Sequence, residues 1–405
     1  AGALRTPACD DPAPQQTARV VLEGDLVLHA LAFLPPMVAM CPGEREVKLW
    51  QGATGPLRTL RHTENVTDLS FFPAGDRLMT VSSAGAIVWD VWAGRELLKL
   101  PCAHALVAKI LLDGDRVVTL SESSFATVWS AVSGRVLLRF SIPWSHRVVL
   151  PLGTGDRFVT GVSSVSGVVS EPTVLWDANT GAVLRRYFHL GEQVSSLAAS
   201  RCGRRLGTVG FSGIALWNVA TGAMEVALLR PTGEAHTRPL IVDILPGDGG
   251  VVVGRSPQKL YFWDAKTGGL RRTKSMVGFP AAVAVAGGER LVAFTWSGPV
   301  SLDAHSGEEV VTFPYAGVVG PFMRAEASPD LAVVAACVEH WTHVPTPAAL
   351  HDSEQWRRTM TQVWDASAGR LLADVVTPSV TVDRNGFELS CSVAVGPSRL
   401  ASVSA

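Results

Sequence analysis

Ile87-Val88-Trp89-Asp90, followed by Gly94, is the stretch that decides the fold of this 405-residue chain. A short run of β-branched or apolar residues ends in Trp, which is often followed by Asp, and a Gly comes five residues after the Trp. A strand that runs into a short turn with a left-handed glycine explains this constant offset. The pattern occurs eight times, with Leu in place of Trp once: Trp50/Gly55, Trp89/Gly94, Trp129/Gly134, Trp176/Gly181, Trp217/Gly222, Trp263/Gly268, Leu302/Gly307 and Trp364/Gly369.

The spacing between these positions predicts the architecture. Successive Trp or Leu positions are 39, 40, 47, 41, 46, 39 and 62 residues apart, and a period near 40 to 45 residues is typical of four-stranded propeller blades. Each interval divides into four strand-like segments, with hairpin turns such as Pro73-Ala74-Gly75-Asp76 between them. No segment has a convincing helical pattern. The sequence therefore predicts an all-β fold, a β-propeller of four-stranded antiparallel blades.

The repeat resembles that of the WD40 family. The resemblance rests on the period, on the Trp-Asp and Trp-Asn dipeptides, and on hairpins such as Ser328-Pro329-Asp330, and it covers residues 17–405. It implies that the Trp closes strand c of a blade and that strand d opens the next sequence repeat. The chain is also identified as a window from a longer WD-repeat array, as an alternative to one complete ring.

The resemblance also implies a hydrogen-bonded tetrad of side chains in each blade. The family's His before strand a has counterparts in His62, His104 and His146. The family's buried Asp in the b–c turn is missing, because other residues stand near its place: Ser83, Ser123 and Phe211. We therefore expect the tetrad to be incomplete and apolar packing to hold the blades together to a greater extent.

The number of blades is left open by the sequence. We expect eight full blade repeats, the first starting near Leu28, plus a partial ninth over residues 389–405 and a further strand over residues 17–23. Propellers usually have four to eight blades, so a seven- or eight-bladed ring is expected. The predicted domains are a leader over 1–16, the propeller over 17–376, and a partial blade over 377–405 that closes the ring or begins a second propeller.

Composition narrows the class of protein. Hydrophobic residues make up 47% of the chain and charged residues 18%, which predicts a folded chain with a large core. The 35 Lys and Arg nearly balance the 36 Asp and Glu, so no basic excess favours nucleic acid. No apolar run is long enough for a membrane span. The six cysteines form no CxxC pair and are read as reduced thiols, which fits a cytoplasmic protein or a cytoskeletal or ciliary assembly.

Loop length is the main indication of function. Nearly all extra length falls in the d–a and b–c loops, which share one face of a propeller. The long loops are 163–171, 231–239, 314–321, 338–359 and 377–387. Variable loops on one face of a rigid scaffold commonly carry binding sites. We predict a non-catalytic interaction scaffold that binds a protein or peptide on this top face, with a permanently bound structural subunit as the alternative.

The largest insertion, residues 338–359, contains the candidate site residues. Trp and Arg are frequent at binding hot spots, so the predicted partner-binding residues are Trp341, His343, Trp356, Arg357 and Arg358. A zinc site is a weaker hypothesis, because thiolate and imidazole are preferred zinc ligands but the spacing matches no common module. Its ligands would be Cys337, His340, His343 and His351. A loop folded over the propeller is the third interpretation.

Catalytic motifs are not found. GxxxxGK[ST], HExxH and GxSxG do not occur, and no cofactor is predicted. A quinoprotein-like propeller enzyme is the runner-up, because Asp264–Gly268 and Leu302–Gly307 resemble a blade-docking motif of that class. The Trp that this motif needs about four residues after the Gly is absent, and the positions hold Leu98, Leu138, Arg185, Val226, Arg272 and Val311. The arginine pairs at 185–186 and 271–272 are interpreted as a solvated outer edge.

Overall fold

The structure is a computed structural model of the whole chain. It describes residues 31–34, 37–43, 45–51, 56–102, 105–162, 171–189, 194, 196–200, 202–210, 213–229, 240–245, 251–256, 259–276, 282–286, 290–295, 298–303, 306–313, 319–327, 333–341, 357–365 and 369–376. Over these ranges the chain forms 32 strands and no helix. The predicted strand at 17–23 and the predicted partial blade at 377–405 lie outside the described residues.

The strands group into eight four-stranded antiparallel sheets, each built from four consecutive strands that we call a, b, c and d. Sheets 1 to 4 contain β1 (Leu31–Leu34), β2 (Met37–Gly43), β3 (Glu46–Gln51), β4 (Pro56–Arg61); β5 (Val66–Phe71), β6 (Arg77–Ser82), β7 (Gly85–Asp90), β8 (Arg95–Leu100); β9 (Ala105–Ile110), β10 (Arg116–Ser121), β11 (Phe125–Ser130), β12 (Val136–Ser141); and β13 (His146–Leu152), β14 (Arg157–Val162), β15 (Thr173–Asp177), β16 (Val183–Tyr187). Sheets 5 to 8 contain β17 (Ser196–Ala199), β18 (Arg205–Val209), β19 (Gly213–Asn218), β20 (Met224–Leu229); β21 (Leu240–Leu245), β22 (Val251–Ser256), β23 (Lys259–Asp264), β24 (Leu270–Ser275); β25 (Ala282–Ala286), β26 (Arg290–Thr295), β27 (Gly298–Asp303), β28 (Glu309–Thr312); and β29 (Val319–Ala327), β30 (Val333–Trp341), β31 (Arg357–Asp365), β32 (Arg370–Val376). The predicted all-β fold of four-stranded antiparallel sheets is confirmed.

The a strands arrange the sheets around a common centre. Each a strand contacts the a strand of the following sheet, and β29 of sheet 8 contacts β1 of sheet 1. The described sheets therefore follow one another in a closed cycle, with the d strands at the outside. No described sheet combines strands from the two ends of the chain, so β1 and β29 meet by packing rather than by sharing a sheet.

The core lies between neighbouring sheets. Strands b and c are buried on both faces, as in β6, whereas the d strand β12 is mostly exposed. One apolar cluster joins Met79 and Val88 of sheet 2 to Val117 and Trp129 of sheet 3. Each buried Trp of the repeat thus packs near the boundary between two sheets, which is why the apolar run before it is almost continuous rather than alternating.

The glycine turn has the geometry that its offset predicts. Seven of the eight glycines lie in the described residues, all with φ between 64° and 77°. At Gly94 the backbone N–H donates to the carbonyl oxygen of Asp90 at 2.8 Å. The Asp90 carboxylate accepts two further N–H groups, those of Trp92 and Ala93. The Asp after the Trp therefore closes the turn, and the left-handed glycine reverses the chain into strand d.

Two expectations need correction. The insertion predicted at 338–359 is shorter, because β30 continues to Trp341 and β31 begins at Arg357, which leaves residues 342–356 as the connection. β30 and β31 have 9 residues each and pair along their whole length without a register shift. This hairpin is therefore longer than a typical one. The expectation that all six cysteines are reduced thiols is wrong, since Cys202 is disulfide-bonded, while Cys102 is a buried free thiol.

Candidate functional site

The antiparallel order of the strands gives the sheets two different ends. The a–b and c–d turns share one end, which we call the turn face, and the b–c and d–a connections share the other, which we call the loop face. The longest connections between described strands all lie at the loop face: 163–172, 188–195, 230–239 and 342–356. The loops predicted near 163–171, 231–239 and 338–359 are among them, whereas the loop predicted at 314–321 is a connection of six residues, 313–318, because β29 begins at Val319.

The predicted partner-binding residues converge only in part. Trp341 is the last residue of β30, and it pairs with Arg357, the first residue of β31. His340 pairs with Arg358 one step further into the hairpin. The backbone thus brings Trp341, Arg357 and Arg358 together at the loop-face end of sheet 8. His343 and Trp356 lie outside the described residues.

The candidate metal ligands are divided in the same way. Cys337 and His340 belong to β30, where Cys337 pairs with Thr361. His343 and His351 lie outside the described residues. Within the ranges that the structure describes, no group of three or more His, Cys, Asp or Glu side chains could hold a metal ion.

Two exposed aromatic residues on the loop face were not predicted. Trp144 lies in the d–a connection between β12 and β13 and is 56% exposed. Phe188 lies in the next d–a connection, between β16 and β17, and is 63% exposed. The two residues therefore flank sheet 4 on the loop face. An exposed Trp and an exposed Phe in consecutive connections offer apolar area of the kind that binding hot spots use.

The turn that carries Trp144 is held by side-chain hydrogen bonds. The Arg147 guanidinium donates to the carbonyl oxygen of Trp144 at 2.7 Å and to that of His146 at 3.1 Å. The Ser145 hydroxyl donates to the carboxylate of Glu171, which lies near the end of the long b–c connection of sheet 4. The hydrogen bonds of Arg147 and Ser145 therefore hold the backbone at Trp144 in place.

Phe188 is fixed through its two neighbours. Tyr187 is fully buried, and its hydroxyl donates to the carbonyl oxygen of Val219 in the next sheet at 3.3 Å. Burial raises the pKa of Tyr187 to about 12. His189 is buried on the other side, with Nδ1 2.8 Å from the Thr208 hydroxyl. The exposed Phe188 ring therefore projects from a backbone that is anchored before and after it.

A chain of hydrogen bonds runs beneath Trp144 through sheet 4. The indole N–H of Trp176 donates to the Thr160 hydroxyl at 2.8 Å, and this hydroxyl lies 2.6 Å from Nδ1 of His146. His146 Nε2 lies 3.2 Å from the carbonyl oxygen of Pro172. All three contacts are satisfied if Thr160 donates to Nδ1 and a neutral His146 donates from Nε2. Burial lowers the pKa of His146 to about 4, which fits this neutral form.

The same arrangement occurs in sheet 5, where Trp217 donates to Thr208 and Thr208 meets His189. Sheets 2 and 3 also contain the Trp–Thr part, Trp89 with Thr80 and Trp129 with Thr119. His62 instead meets the ring of Trp89 edge to face at 5.2 Å. His104 lies outside the described residues.

Three members of the expected tetrad are therefore present in sheets 4 and 5, although the Asp is missing as predicted. Polar bonding there is stronger than the sequence indicated. The buried Thr in strand b and His189 were missed, although a Thr recurs nine or ten residues before the Trp at Thr80, Thr119 and Thr208.

Comparisons with known proteins agree with this geometry. No family model matches the chain. WD repeat-containing protein 55 of Pongo abelii is 31% identical over 185 residues, 43% of this chain and 46% of that protein. The Homo sapiens protein of the same name is 31% identical over 183 residues, 42% of this chain and 45% of that protein. The chain is therefore similar in sequence to WD-repeat proteins over less than half of its length.

The chain spans about half the length of the curated relatives that it matches. Among solved structures, the crystal structure of the C-terminal WD40 domain of Sif2 is similar, with a TM-score of 0.62 and 14% sequence identity. The match covers 78% of this chain and 95% of that domain. At this identity the likeness concerns the fold alone.

The sheets also dock at their turn face. At five of the described turn glycines, the residue four positions after the turn glycine of the preceding sheet packs on the glycine. A Cβ at Gly134 would lie 2.6 Å from Leu98, and a Cβ at Gly268 would lie 2.6 Å from Val226. Arg185 occupies the same position in sheet 4 and donates to the carbonyl oxygen of Ala220 at 3.0 Å.

Two residues of the arginine pairs, although exposed on the outer edge, also contact the neighbouring sheet. Arg185 crosses to sheet 5, and Arg272 crosses to sheet 7, where it donates to Glu308 at 2.7 Å. Their long side chains reach the neighbouring turn while the flanking residue points outward. The residue four positions after the turn glycine therefore contacts the next sheet in this chain. It is Leu, Val or Arg, where the quinoprotein docking motif has Trp.

Proposed function

We propose that this protein is a non-catalytic interaction scaffold whose loop face binds a protein or peptide partner. WD40 propellers in general serve as interaction scaffolds. The observation that carries the proposal for this chain is the pair Trp144 and Phe188, exposed on consecutive loop-face connections and anchored by buried neighbours. Side chains that are already ordered lose little entropy on binding, which favours affinity.

The turn face is a less suitable binding surface. Its connections are short, and their polar groups are occupied by contacts between sheets. Arg77 donates to the carbonyl oxygens of Gly114 and Ala131, and Arg116 donates to that of Gly155. Groups that hold one sheet to the next are not free to recognise a partner, whereas the loop face carries the long connections.

The experiment compares two matched double variants. Trp144→Ala/Phe188→Ala removes the exposed pair of the loop face, and Trp92→Ala/Val132→Ala removes a pair of comparable exposure from consecutive turns of the turn face. Partners recovered on the purified full chain are quantified by mass spectrometry. The proposal expects loss of the partners with the loop-face variant alone. Equal recovery with both variants, or loss with the turn-face variant only, contradicts it.

The connection of sheet 8 is a second part of the proposed surface. Residues 342–356 join β30 and β31 at the loop face, next to Trp341, Arg357 and Arg358. A deletion should replace these 15 residues with a short turn and keep both strands. Partner recovery that is unchanged by this deletion counts against a contribution from sheet 8 but leaves the Trp144 and Phe188 surface to be judged by its own variants.

The class of partner is also part of the proposal. The net charge of −1 gives no general attraction for nucleic acid. Among the described residues, no helix has the length and apolarity to cross a membrane. We therefore propose a protein partner within a larger assembly. A permanently bound structural subunit would differ from such a scaffold in its solubility, because the isolated chain would then be insoluble without its neighbours.

A cytoplasmic location remains a proposal, and Cys202 provides its test. Cytoplasmic thiols are normally kept reduced, whereas Cys202 is disulfide-bonded in the structure. Rapid alkylation of the protein in intact cells, followed by mapping of labelled cysteines, distinguishes the two states. Labelling of Cys202 supports the cytoplasmic location, and an oxidised Cys202 argues for an oxidising compartment.

A further inference from the structure

The outer edge of sheet 3 has a composition that differs from the neighbouring edges. β12 is the edge strand of this sheet and pairs on one side only, with β11. Val136 and Leu137 at its start are 50% and 54% exposed. Arg135, just before the strand, and Arg139 within it are exposed as well. This edge therefore combines unpaired backbone, apolar side chains and two cations.

On the d strands of sheets 2 and 6 the cations are neutralised locally. Lys99 of β8 pairs with Glu96 at 2.9 Å, and Arg95 lies 3.9 Å from Asp90. In β24, Lys274 pairs with Glu309 at 3.1 Å. β12 contains no acidic residue.

For Arg135 and Arg139, no carboxylate among the described residues comes within ion-pairing distance. The Arg139 guanidinium lies over the ring of Phe125, 4.5 Å from its centroid. This contact orients the cation without cancelling its charge.

The next edge continues this surface. β16 of sheet 4 also contains no acidic residue, and it exposes Val183 and Arg186. Arg185 is engaged with sheet 5 through the carbonyl oxygen of Ala220 but remains charged. The edges of sheets 3 and 4 therefore form a basic and apolar strip at the outside of the propeller, which we call the basic edge.

We infer that the basic edge binds an extended acidic segment of a partner protein, which pairs with β12 as an additional strand. Exposed strand edges can accept a further strand through their unpaired N–H and C=O groups. Acidic side chains would lie opposite Arg135 and Arg139, and opposite charges across paired strands are favourable. A second copy of the same edge would place cations against cations, so charge selects an acidic partner over self-association.

The test uses two short fluorescein-labelled peptides, one alternating Glu and Val and one alternating Lys and Val. Binding to the full chain is followed by fluorescence anisotropy, and hydrogen exchange of the β12 amides is measured at saturation. The acidic peptide is expected to bind and to slow exchange in β12, while the basic peptide does not. Failure of the acidic peptide to bind, or binding without protection of β12, overturns the inference.

Matched charge-reversal variants locate the site. Arg135→Glu/Arg139→Glu reverses the cations of β12, and Arg95→Glu/Lys99→Glu reverses the cations at the same two positions, one and five residues after the turn glycine, in sheet 2. The first variant is expected to weaken the binding of the acidic peptide by about tenfold or more, and the second variant is expected to change this affinity little. Equal weakening by both variants shows a general charge effect and contradicts the inference.

Anionic phospholipid vesicles serve as the competing probe, because a basic and apolar surface could also contact lipid. Sedimentation of the protein with vesicles, lost in the Arg135→Glu/Arg139→Glu variant, together with no peptide binding would assign the basic edge to membranes and overturn the inference. The loop-face variants Trp144→Ala/Phe188→Ala leave β12 intact and are expected to bind the acidic peptide normally. The outcome here is therefore independent of the proposed function.

Discussion

At the scale of single residues, the buried Thr of strand b is the most consequential polar group of the repeat. Thr160 bonds to two side chains, Trp176 and His146, whereas Thr80 of sheet 2 bonds to one, Trp89. A buried donor or acceptor left without its partner costs about 1–3 kcal/mol. The two threonines therefore provide a matched pair for measuring what the His adds.

Thr160→Val is expected to lower the free energy of unfolding by about 2–5 kcal/mol, because two buried groups, on Trp176 and His146, lose their partner. Thr80→Val is expected to lower it by about 1–3 kcal/mol, because one buried group, the indole N–H of Trp89, loses its partner. Urea denaturation followed by Trp fluorescence measures both values. A Thr160→Val loss equal to or smaller than that of Thr80→Val would show that His146 gains nothing from the hydroxyl.

His146 predicts a pH dependence of stability. Its pKa in the folded protein is about 4, below the ordinary value of 6.5, because burial disfavours the charged form. As the pH falls below about 6.5, the unfolded chain binds a proton at this residue and the folded chain does not. The free energy of unfolding is therefore expected to fall between pH 6.5 and about 4, by about 3 kcal/mol in total from this group.

His146→Gln tests this assignment. A Gln can accept from Thr160 and donate to Pro172 but does not titrate in this range. The variant should have a flatter profile of unfolding free energy between pH 7 and pH 4 than the natural protein. Parallel profiles for the two proteins would assign the pH dependence to other groups.

At the scale of elements, the c–d turn combines a conformational and a steric requirement. Gly268 has φ of 75°, and a Cβ there would meet Val226 at 2.6 Å and the Ala227 carbonyl oxygen at 3.2 Å. Its neighbour Gly269 has no such φ, and a Cβ would meet Thr267 at 3.4 Å, an ordinary contact. The two adjacent glycines therefore differ in whether they can be replaced by a residue with a Cβ.

Gly268→Ala is expected to lower the free energy of unfolding by about 1–3 kcal/mol, because Ala is strained at positive φ and would displace the strand of the preceding sheet. Gly269→Ala should change it by less than about 0.5 kcal/mol. Thermal unfolding followed by circular dichroism compares the two. Similar melting temperatures for both variants would mean that the turn is not a tight contact between sheets.

The turn is also the element that the sequence predicts best. A left-handed glycine and a side-chain acceptor at fixed offsets depend on local geometry, so Asp90 and Gly94 already identify it. Trp144 and Phe188 belong to no repeat position, and their exposure depends on how buried neighbours in other strands orient the connection. The long pairing of β30 with β31 escaped prediction for a similar reason, because polar residues such as Glu339 and His340 give no alternating strand pattern.

At the scale of the whole molecule, the cycle of eight sheets separates two kinds of surface. The turn face is occupied by contacts between sheets, from Leu98 at Gly134 to Arg185 at Ala220. The loop face carries the long connections and the anchored aromatic pair. Because strands b and c are buried on both sides, variation is tolerated chiefly in these connections. The repeat therefore predicts the strands and turns well and gives no indication of Trp144 and Phe188.

The central claim is that the loop face, and not the turn face, meets the partner. A photo-crosslinking amino acid placed at Trp144 reports directly on what contacts that position in the cell, and the same residue placed at Trp92 provides the control at similar exposure on the opposite face. We predict a discrete crosslinked protein from position 144 and none from position 92. The same crosslinked protein from both positions, or one from position 92 alone, would contradict the claim.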